Sequence, residues 1–282
     1  MTVIDGKIVS QKVKEEVKEE IKFLKDQKRQ VTLAVIIVGN DPASRIYVNN
    51  KKKACEYVGI NSEEYALPEN VKQEEVIELI DRLNKKQTVN GILVQLPLPK
   101  HIDEKAVIES ISKVKDVDAF SYENVGRIMT GNFRFLPCTP AGILELLYNY
   151  KIKIEGKNCV IIGRSNIVGK PMAMLLLKEN ATVTICHSKT RNLADICRNA
   201  DILISAVGKA NFVKSDMVKK DSVVIDVGMN RDESGKLCGD VDFNDVKNKV
   251  SYITKVPGGV GPMTIAQLMR NTLKAFKIQN GE

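Results

Sequence analysis

Tyr47 and Lys51 stand four residues apart in the stretch "IYVNNKKKAC" (46–55). On a helix this spacing puts them on one face. A lysine amine in a protected place beside a phenol can move protons in a reaction. Lys52 and Lys53 are rotated off that face, and a lysine in a run of three is by itself an ordinary solvated charge. Gln95 ends the apolar run of "GILVQLPLP" (91–99). A polar amide there needs a partner or a solvated cleft, and α/β sheets bind ligands at the carboxyl ends of their strands. Asp118, in "KDVDAF" (115–120), reads by its local sequence alone as a loop or capping acid. Cys138 in "PCTP" has no nearby histidine to activate it and reads as structural. "VPGGVGPMT" (256–264) places Pro257, Gly258, Gly259 and Gly261 just before a helical pattern. It is either a tight turn or a stiff loop that lets backbone approach a ligand closely.

A second chemistry-bearing stretch is "CVIIGRSNIVGKP" (159–171). Gly163, Arg164, Ser165 and Gly169 form a Gly-x-Ser-x-x-x-Gly turn between an apolar run and a helix, not the usual Gly-x-Gly-x-x-Gly. The physics is shared: Gly163 permits the sharp turn, Gly169 lets the helix approach the sheet, and the helix start offers N–H groups to a phosphate. NAD sites usually place an acid about 20 residues further on, for the ribose 2′-hydroxyl. Here the corresponding strand end reads "CHSKTRN" (186–192) and carries no acid. Arg164 and Ser188 suit a 2′-phosphate instead, which favours NADP over NAD.

The elements that must position these groups alternate. Apolar residues at Val13, Val17, Ile21 and Leu24 predict a helix over 8–28. "VTLAVIIVG" (31–39) predicts a buried parallel strand. Asp41 and Pro42 suit the N-cap and first turn of a helix over 42–58. Strands at 63–68 and 91–96 and helices near 71–86 and 103–113 continue the series. The stretch 115–140, with Gly, Pro and few periodic apolar residues, reads as a linker. A helix near 140–150 then leads to strands at 158–163, 181–187, 201–207, 222–228 and 251–256, and to a last helix near 262–277. The fold class is α/β with parallel sheets. Two domains are predicted, an N-terminal α/β domain (1–139 with the returning helix 262–282) and a C-terminal Rossmann-type domain (140–261).

Composition narrows the function. The 282 residues are 43% hydrophobic and 28% charged, which fits a globular chain and excludes a disordered one. No apolar run reaches bilayer length, and the N-terminus resembles no secretory or transit peptide. Six cysteines without Cys-x-x-Cys spacing, and only two histidines, argue against zinc or a disulfide framework. Reduced thiols and a cytoplasmic location are expected. The net charge of +8 points to an anionic partner. Interleaved acids, as in "KVKEEVKEEIKFLKDQKRQ", and the lack of Trp favour an acidic small molecule over nucleic acid.

The motifs "YVNNKKKAC", "GILVQLPLP", "KDVDAF", "PCTPAGILELL", "GRSNIVGKPMAMLLL", "TVTICHSKT" and "KVPGGVGPMTIAQLM" closely resemble the bifunctional methylenetetrahydrofolate dehydrogenase/methenyltetrahydrofolate cyclohydrolase family, over about residues 2–278. The resemblance implies oxidation of 5,10-methylenetetrahydrofolate by NADP+, with the two rings facing across an interdomain cleft. Hydrolysis of the methenyl product to 10-formyltetrahydrofolate follows. It makes Lys51 the proton-transfer residue with Tyr47 and Gln95 beside it, Asp118 the pterin-binding acid, and Pro257, Gly258, Gly259 and Gly261 the folate-side loop. Gly163, Arg164, Ser165, Gly169, Ser188 and Met229 would hold the cofactor. No metal is implied, and a homodimer is. Ala119 stands where the family usually has Gly, and Lys255 where it usually has Pro. Two rivals are a dehydrogenase-only member, against which Tyr47, Lys51 and Gln95 argue, and a non-catalytic basic nucleic-acid-binding protein.

Overall fold

Seven consecutive residues of "TLAVIIV" are buried, because this strand lies at the centre of a sheet covered on both faces. The computed structural model describes residues 1–282. Its elements begin β1 (Thr2–Ile4), α1 (Gly6–Asp26), β2 (Thr32–Val38), α2 (Pro42–Val58), β3 (Asn61–Leu67), α3 (Gln73–Lys85), β4 (Gly91–Val94), α4 (Glu104–Ser110), α5 (Tyr122–Met129) and α6 (Cys138–Asn149). They continue with β5 (Asn158–Ile162), α7 (Gly169–Lys178), β6 (Thr182–Cys186), α8 (Leu193–Arg198), β7 (Ile202–Ser205) and β8 (Val223–Asp226). After these come β9 (Asn230–Arg231), β10 (Leu237–Cys238), α9 (Phe243–Val246), β11 (Tyr252–Thr254) and α10 (Val260–Gln279).

The chain divides into two compact units: Gln11–Cys138 with Ile265–Glu282, and Met1–Ser10 with Thr139–Thr264. The first unit has a parallel three-stranded sheet in the order β3-β2-β4. One apolar cluster joins Leu33, Val35 and Ile37 of β2 to Val48, Cys55 and Val58 of α2, Val17, Ile21 and Leu24 of α1, and Leu268, Leu273 and Phe276 of α10. On the other face, Ala34, Ile36 and Val38 pack with Val76, Ile80 and Leu83 of α3 and Val107 of α4. The last helix thus returns to the first unit, where Arg270 pairs with Glu16 at 2.8 Å and Lys277 pairs with Glu20. Asp41 caps α2 by accepting the Ser44 N–H at 2.7 Å, with Pro42 opening the helix. Such a cap stabilises a helix by about 1 kcal/mol.

The second unit has six parallel strands in the order β1-β11-β8-β7-β5-β6. After β6 the chain crosses back over β5 to form β7, so the strand order reverses between β5 and β7. Such a switch point opens a crevice at the carboxyl ends, the usual dinucleotide site of this topology.

Three sequence expectations change. Residues 1–10 belong to the unit of the six-stranded sheet, because β1 pairs in parallel with β11. Only Ile4 of β1 is buried, so its three residues carry almost no pattern. The stretch 115–140 is not wholly linker, since it contains α5, whose buried face is Asn124 and Ile128. A two-stranded antiparallel ribbon, β9 with β10, adds a piece that no periodicity announced.

Candidate functional site

In the Gln11–Cys138 unit the chemistry gathers where β4 ends. Helix α2 carries Tyr47 and Lys51 one turn apart, and both are partly buried, while Lys52 and Lys53 are exposed. The Lys51 ammonium group donates to the Gln95 side-chain oxygen at 2.9 Å. Gln95 itself sits just past β4, donates its amide to the Leu96 carbonyl at 2.6 Å, and has its backbone N–H on the Ile36 carbonyl. The lone polar residue at the end of an apolar strand is therefore satisfied, and it fixes the lysine.

Burial pushes the Lys51 amine below the ordinary ammonium range, and the nearby charge of Asp118 opposes that shift. Burial pushes Asp118 above the usual carboxylate range, and Lys51 opposes that in turn. Desolvation drives each member of the pair toward its neutral form, while mutual attraction holds them charged. Burial also raises the Tyr47 phenol. The Cys138 thiol lies 3.6 Å from the Val117 carbonyl and within hydrogen-bond reach of Asp118. Burial and the Asp118 charge raise it well above a usual thiol, so it stays protonated and inert as a nucleophile.

Asn271 escaped the sequence reading. Its amide donates to the Val117 and Leu136 carbonyls at 2.8 and 2.9 Å and lies 3.7 Å from the Cys138 sulfur. It thereby ties α10 to the segment bearing Asp118. Nothing local marks an asparagine so far along the chain. Ala119 is fully buried at a φ of 59°, in the left-handed region where glycine is favoured. Its methyl packs in the core cluster with Val117, Phe135 and Cys138.

In the other unit, Gly163 follows β5 with a φ of 132°, and a Cβ there would lie 2.4 Å from the Ala206 carbonyl oxygen. A Cβ on Gly169 would lie 2.2 Å from the Gly163 carbonyl oxygen. The tight turn and the close helix start expected of this loop are both present. The expected row of free N–H groups is not complete. The Ser165 hydroxyl accepts from Val168 N–H at 3.1 Å and Gly169 N–H at 3.3 Å, because a serine at this offset caps its own helix. Ser188 follows β6, the strand paired with β5, and the Gly163 N–H bonds the Cys186 carbonyl at 2.9 Å. Arg164 and Ser188 thus sit on neighbouring strand ends, both exposed, with no acid between them. Met229, after β8, is 47% exposed, an apolar side chain held at the surface of the strand ends.

The glycines of the 256–264 loop divide in use. Gly258 adopts a φ of 108°, and Pro257 before it is exposed. Gly259 is buried: a Cβ on it would lie 2.8 Å from the Lys255 carbonyl oxygen, and one on Gly6 would overlap the Gly259 carbonyl at 1.7 Å. Those two glycines serve the packing of the protein's own backbone. Gly261 leaves space, its nearest neighbour being the Met229 sulfur at 3.8 Å. A cavity of about 840 Å³ lies elsewhere, along β3 and α3, and none of the residues above lines it. No group of three or more His, Cys, Asp or Glu side chains is arranged to hold a metal, and no helix is long and apolar enough to cross a membrane.

Residues 4–118 match the family described as tetrahydrofolate dehydrogenase/cyclohydrolase, catalytic domain, and residues 137–280 match the NAD(P)-binding domain of the same family. The bifunctional protein FolD of Acetivibrio thermocellus is 61% identical over 277 residues, covering 98% of this chain and 97% of that protein. The structure of the bifunctional FolD enzyme of Campylobacter jejuni is similar at a TM-score of 0.97 and 55% identity, covering 99% of each chain. That of the Trypanosoma brucei enzyme, complexed with NADP cofactor and inhibitor, is similar at 0.95 and 40%, covering 100% of this chain and 99% of that one.

Proposed function

Since the chain belongs to the tetrahydrofolate dehydrogenase/cyclohydrolase family, we infer that it carries both activities in that name. It oxidises 5,10-methylenetetrahydrofolate with NADP+ and hydrolyses the methenyl product to 10-formyltetrahydrofolate. The observation that carries the hydrolytic half is the desolvated Lys51 amine held by Gln95 and flanked by Asp118.

In hydrolysis, water adds to the bridge carbon of the methenyl cation and loses one proton; the remaining hydroxyl proton passes to N5 as the bond from carbon to N5 opens and the formyl carbonyl forms. A lysine takes a proton only when neutral, and burial biases Lys51 toward that form. Gln95 orients the amine, and Tyr47, on the same face of α2, flanks it. Asp118 holds the pterin ring by accepting its N–H groups, and its charge also tunes Lys51. Pro257, Gly258, Gly259 and Gly261 form the folate-side loop, with Gly261 supplying the room.

The second unit fits a dinucleotide bearing a 2′-phosphate. The Gly163 turn has no room for a side chain, it lies at the switch point, and the end of β6 offers a serine instead of an acid. When bound, NADP+ accepts the hydride at C4 of its nicotinamide. Gly163, Ser165 and Gly169 would take the pyrophosphate, Arg164 and Ser188 the 2′-phosphate, and Met229 an apolar face of the ligand.

Domain limits at 139–140 and 261–262 fit this division of labour, with residues 1–10 reassigned as described. The enzyme acts in the cytoplasm as a homodimer without nucleic acid. In support, all six cysteines are free, and surface cations are neutralised locally in pairs such as Lys85–Asp81 and Lys113–Glu109. A paired assay tests the reading: NADPH formation from methylenetetrahydrofolate and decay of methenyl absorbance, on wild type and Lys51→Ala. Absence of both reactions in the wild type would overturn it.

A further inference from the structure

Two buried acids, Asp226 and Asp240, brace the carboxyl ends of the six-stranded sheet, and nothing in the mechanism above uses them. Asp226, at the end of β8, accepts the backbone N–H groups of Gly228, Asp240 and Val241, each at 2.9 Å. Asp240 is fully buried. One of its oxygens accepts from Val207 N–H at 2.7 Å and the Ser205 hydroxyl at 3.2 Å; the other accepts from Lys209 N–H at 3.0 Å and the Asn230 side-chain amide at 2.9 Å. Neither carboxylate has a cation partner. Their charges rest on peptide and side-chain dipoles alone.

The fit is close. A Cβ on Gly228 would lie 2.3 Å from an Asp240 oxygen, and one on Gly239 would lie 1.8 Å from an Asp226 oxygen. The arrangement is also costly. Burial, with the Asp240 charge adding, pushes Asp226 up to about 6. Apolar residues could fill the same space only by leaving those backbone N–H groups buried without partners. What a fully satisfied polar network adds is a fixed backbone shape.

The shape it fixes lies at the switch point. The Val207–Lys209 turn follows Ala206, whose carbonyl is the atom pressed against Gly163. Asn230 follows Met229 on the loop after β8. Asp240 therefore holds both the turn that abuts Gly163 and the segment that follows Met229, and it does so without reaching the surface itself.

We propose that Asp240 is a positioning residue for the cofactor: by holding the backbone of Val207 and Lys209 and the side chain of Asn230, it sets the walls of the dinucleotide crevice and hence cofactor affinity. The proposal rests on the reading that this crevice binds NADP+. Because these walls are backbone, the loss on mutation is shared by NADP+ and NAD+, unlike a loss at Arg164. Because Lys51, Tyr47, Gln95 and Asp118 lie in the other unit, and the bonds made by the Asp240 carboxylate reach none of residues 256–264, methenyl hydrolysis assayed without nucleotide stays intact.

The test is calorimetric Kd for NADP+ and NAD+ on the full chain, beside methenyl hydrolysis without nucleotide, for Asp240→Asn and Asn230→Ala. Asn offers one acceptor oxygen where Asp offers two, so Asp240→Asn loses at least two of four bonds. It is expected to weaken both nucleotides by roughly tenfold or more, with hydrolysis within about twofold of wild type. Asn230→Ala loses one bond and should weaken both by a smaller common factor, roughly threefold. Unchanged nucleotide affinity in a folded Asp240→Asn overturns the proposal, as does a parallel fall in hydrolysis, which would make Asp240 a general element of the fold. If Asp240→Asn does not fold, Asn230→Ala and Ser205→Ala decide by the same comparison, and unchanged affinity in both overturns it. A wild type that binds no NADP+ instead overturns the reading of the crevice.

Discussion

The two units solve the placing of charge in opposite ways. In the Gln11–Cys138 unit the charged groups proposed to meet the substrate are themselves desolvated: Lys51 and Asp118 act on each other's charge, and burial displaces both from their ordinary proton affinities. In the unit of the six-stranded sheet the groups proposed to meet the ligand, Arg164, Ser165 and Ser188, are exposed. The buried charges, Asp226 and Asp240, stay behind the loops and act only on the backbone. The difference follows from the tasks. Proton transfer near neutral pH needs an amine whose proton affinity has been lowered, and only desolvation or a like charge does that. Holding a cofactor that brings its own chemistry needs shape and a counter-charge, which exposed groups on a stiff frame supply.

Several changes break or sharpen this contrast. The largest effect is expected at Lys51. Lys51→Ala should slow methenyl hydrolysis by about 10²–10⁴-fold, and Lys51→Arg by a similar factor, because a guanidinium does not become neutral. Methenyl decay in both variants, with circular dichroism to verify folding, checks this; a Lys51→Arg enzyme at wild-type rate would show that charge, not neutrality, is what matters there.

Asp118→Asn removes a charged acceptor. It should raise the folate Kd by roughly 10–100-fold while leaving the NADP+ Kd within about twofold. Calorimetry with each ligand decides, and an unchanged folate Kd in a folded variant removes Asp118 from the pterin site.

Arg164→Ala should weaken NADP+ by roughly tenfold and NAD+ far less, since only NADP+ carries the 2′-phosphate. Comparing kcat/KM for the two nucleotides in wild type and variant measures this. Equal losses would place Arg164 with the backbone frame and not with the 2′-phosphate.

A smaller effect lies in the pH profile. If neutral Lys51 is the proton acceptor, hydrolysis rises with pH through a midpoint below the ordinary ammonium range. The Asp118 charge raises the Lys51 proton affinity. Removing that charge should therefore move the midpoint to lower pH, and an upward move in Asp118→Asn contradicts the coupling. The smallest effect is at Lys52 and Lys53. Both are exposed, and Ala at either should leave both activities within about twofold, as expected of surface positions.

Much of this was legible in the chain. β2, β4, β5, β7 and β8 are near-continuous apolar runs, and such runs mean strands covered on both faces. The helical spacing of Tyr47 and Lys51 separates one lysine from its two neighbours. β1 was not legible, because three residues with one buried side chain give no period, and its partner lies about as far along the chain as Ser251. α5 hid in a Gly- and Pro-bearing stretch, with Asn124 on its buried face donating to Asp116. Asp226 and Asp240 look like strand-end or turn acids in sequence. Their office appears only when three separated segments, 205–209, 226–230 and 239–241, converge. The glycines of the 256–264 loop suggest either a tight turn or backbone close to a ligand, and Gly259 serves contact with Gly6. A sequence shows that backbone must come close there, not what comes close.

Both units are closed by chain from the far end. β1, the first strand made, has no partner until β11 exists. The core around β2 and α2 lacks Leu268, Leu273 and Phe276 until α10 is complete. Even the Asn90 and Val114 carbonyls wait for the Gln279 amide, three residues from the end. At roughly 5–20 residues per second, the nascent chain leaves the ribosome over tens of seconds before these particular contacts can form. The cluster shared by β2, α2 and α10 is consequently a late, long-range step in the folding of the chain. Helix α10 is thus the keystone of a core begun by α1 and β2, and losing it would strike that core and not merely trim a tail.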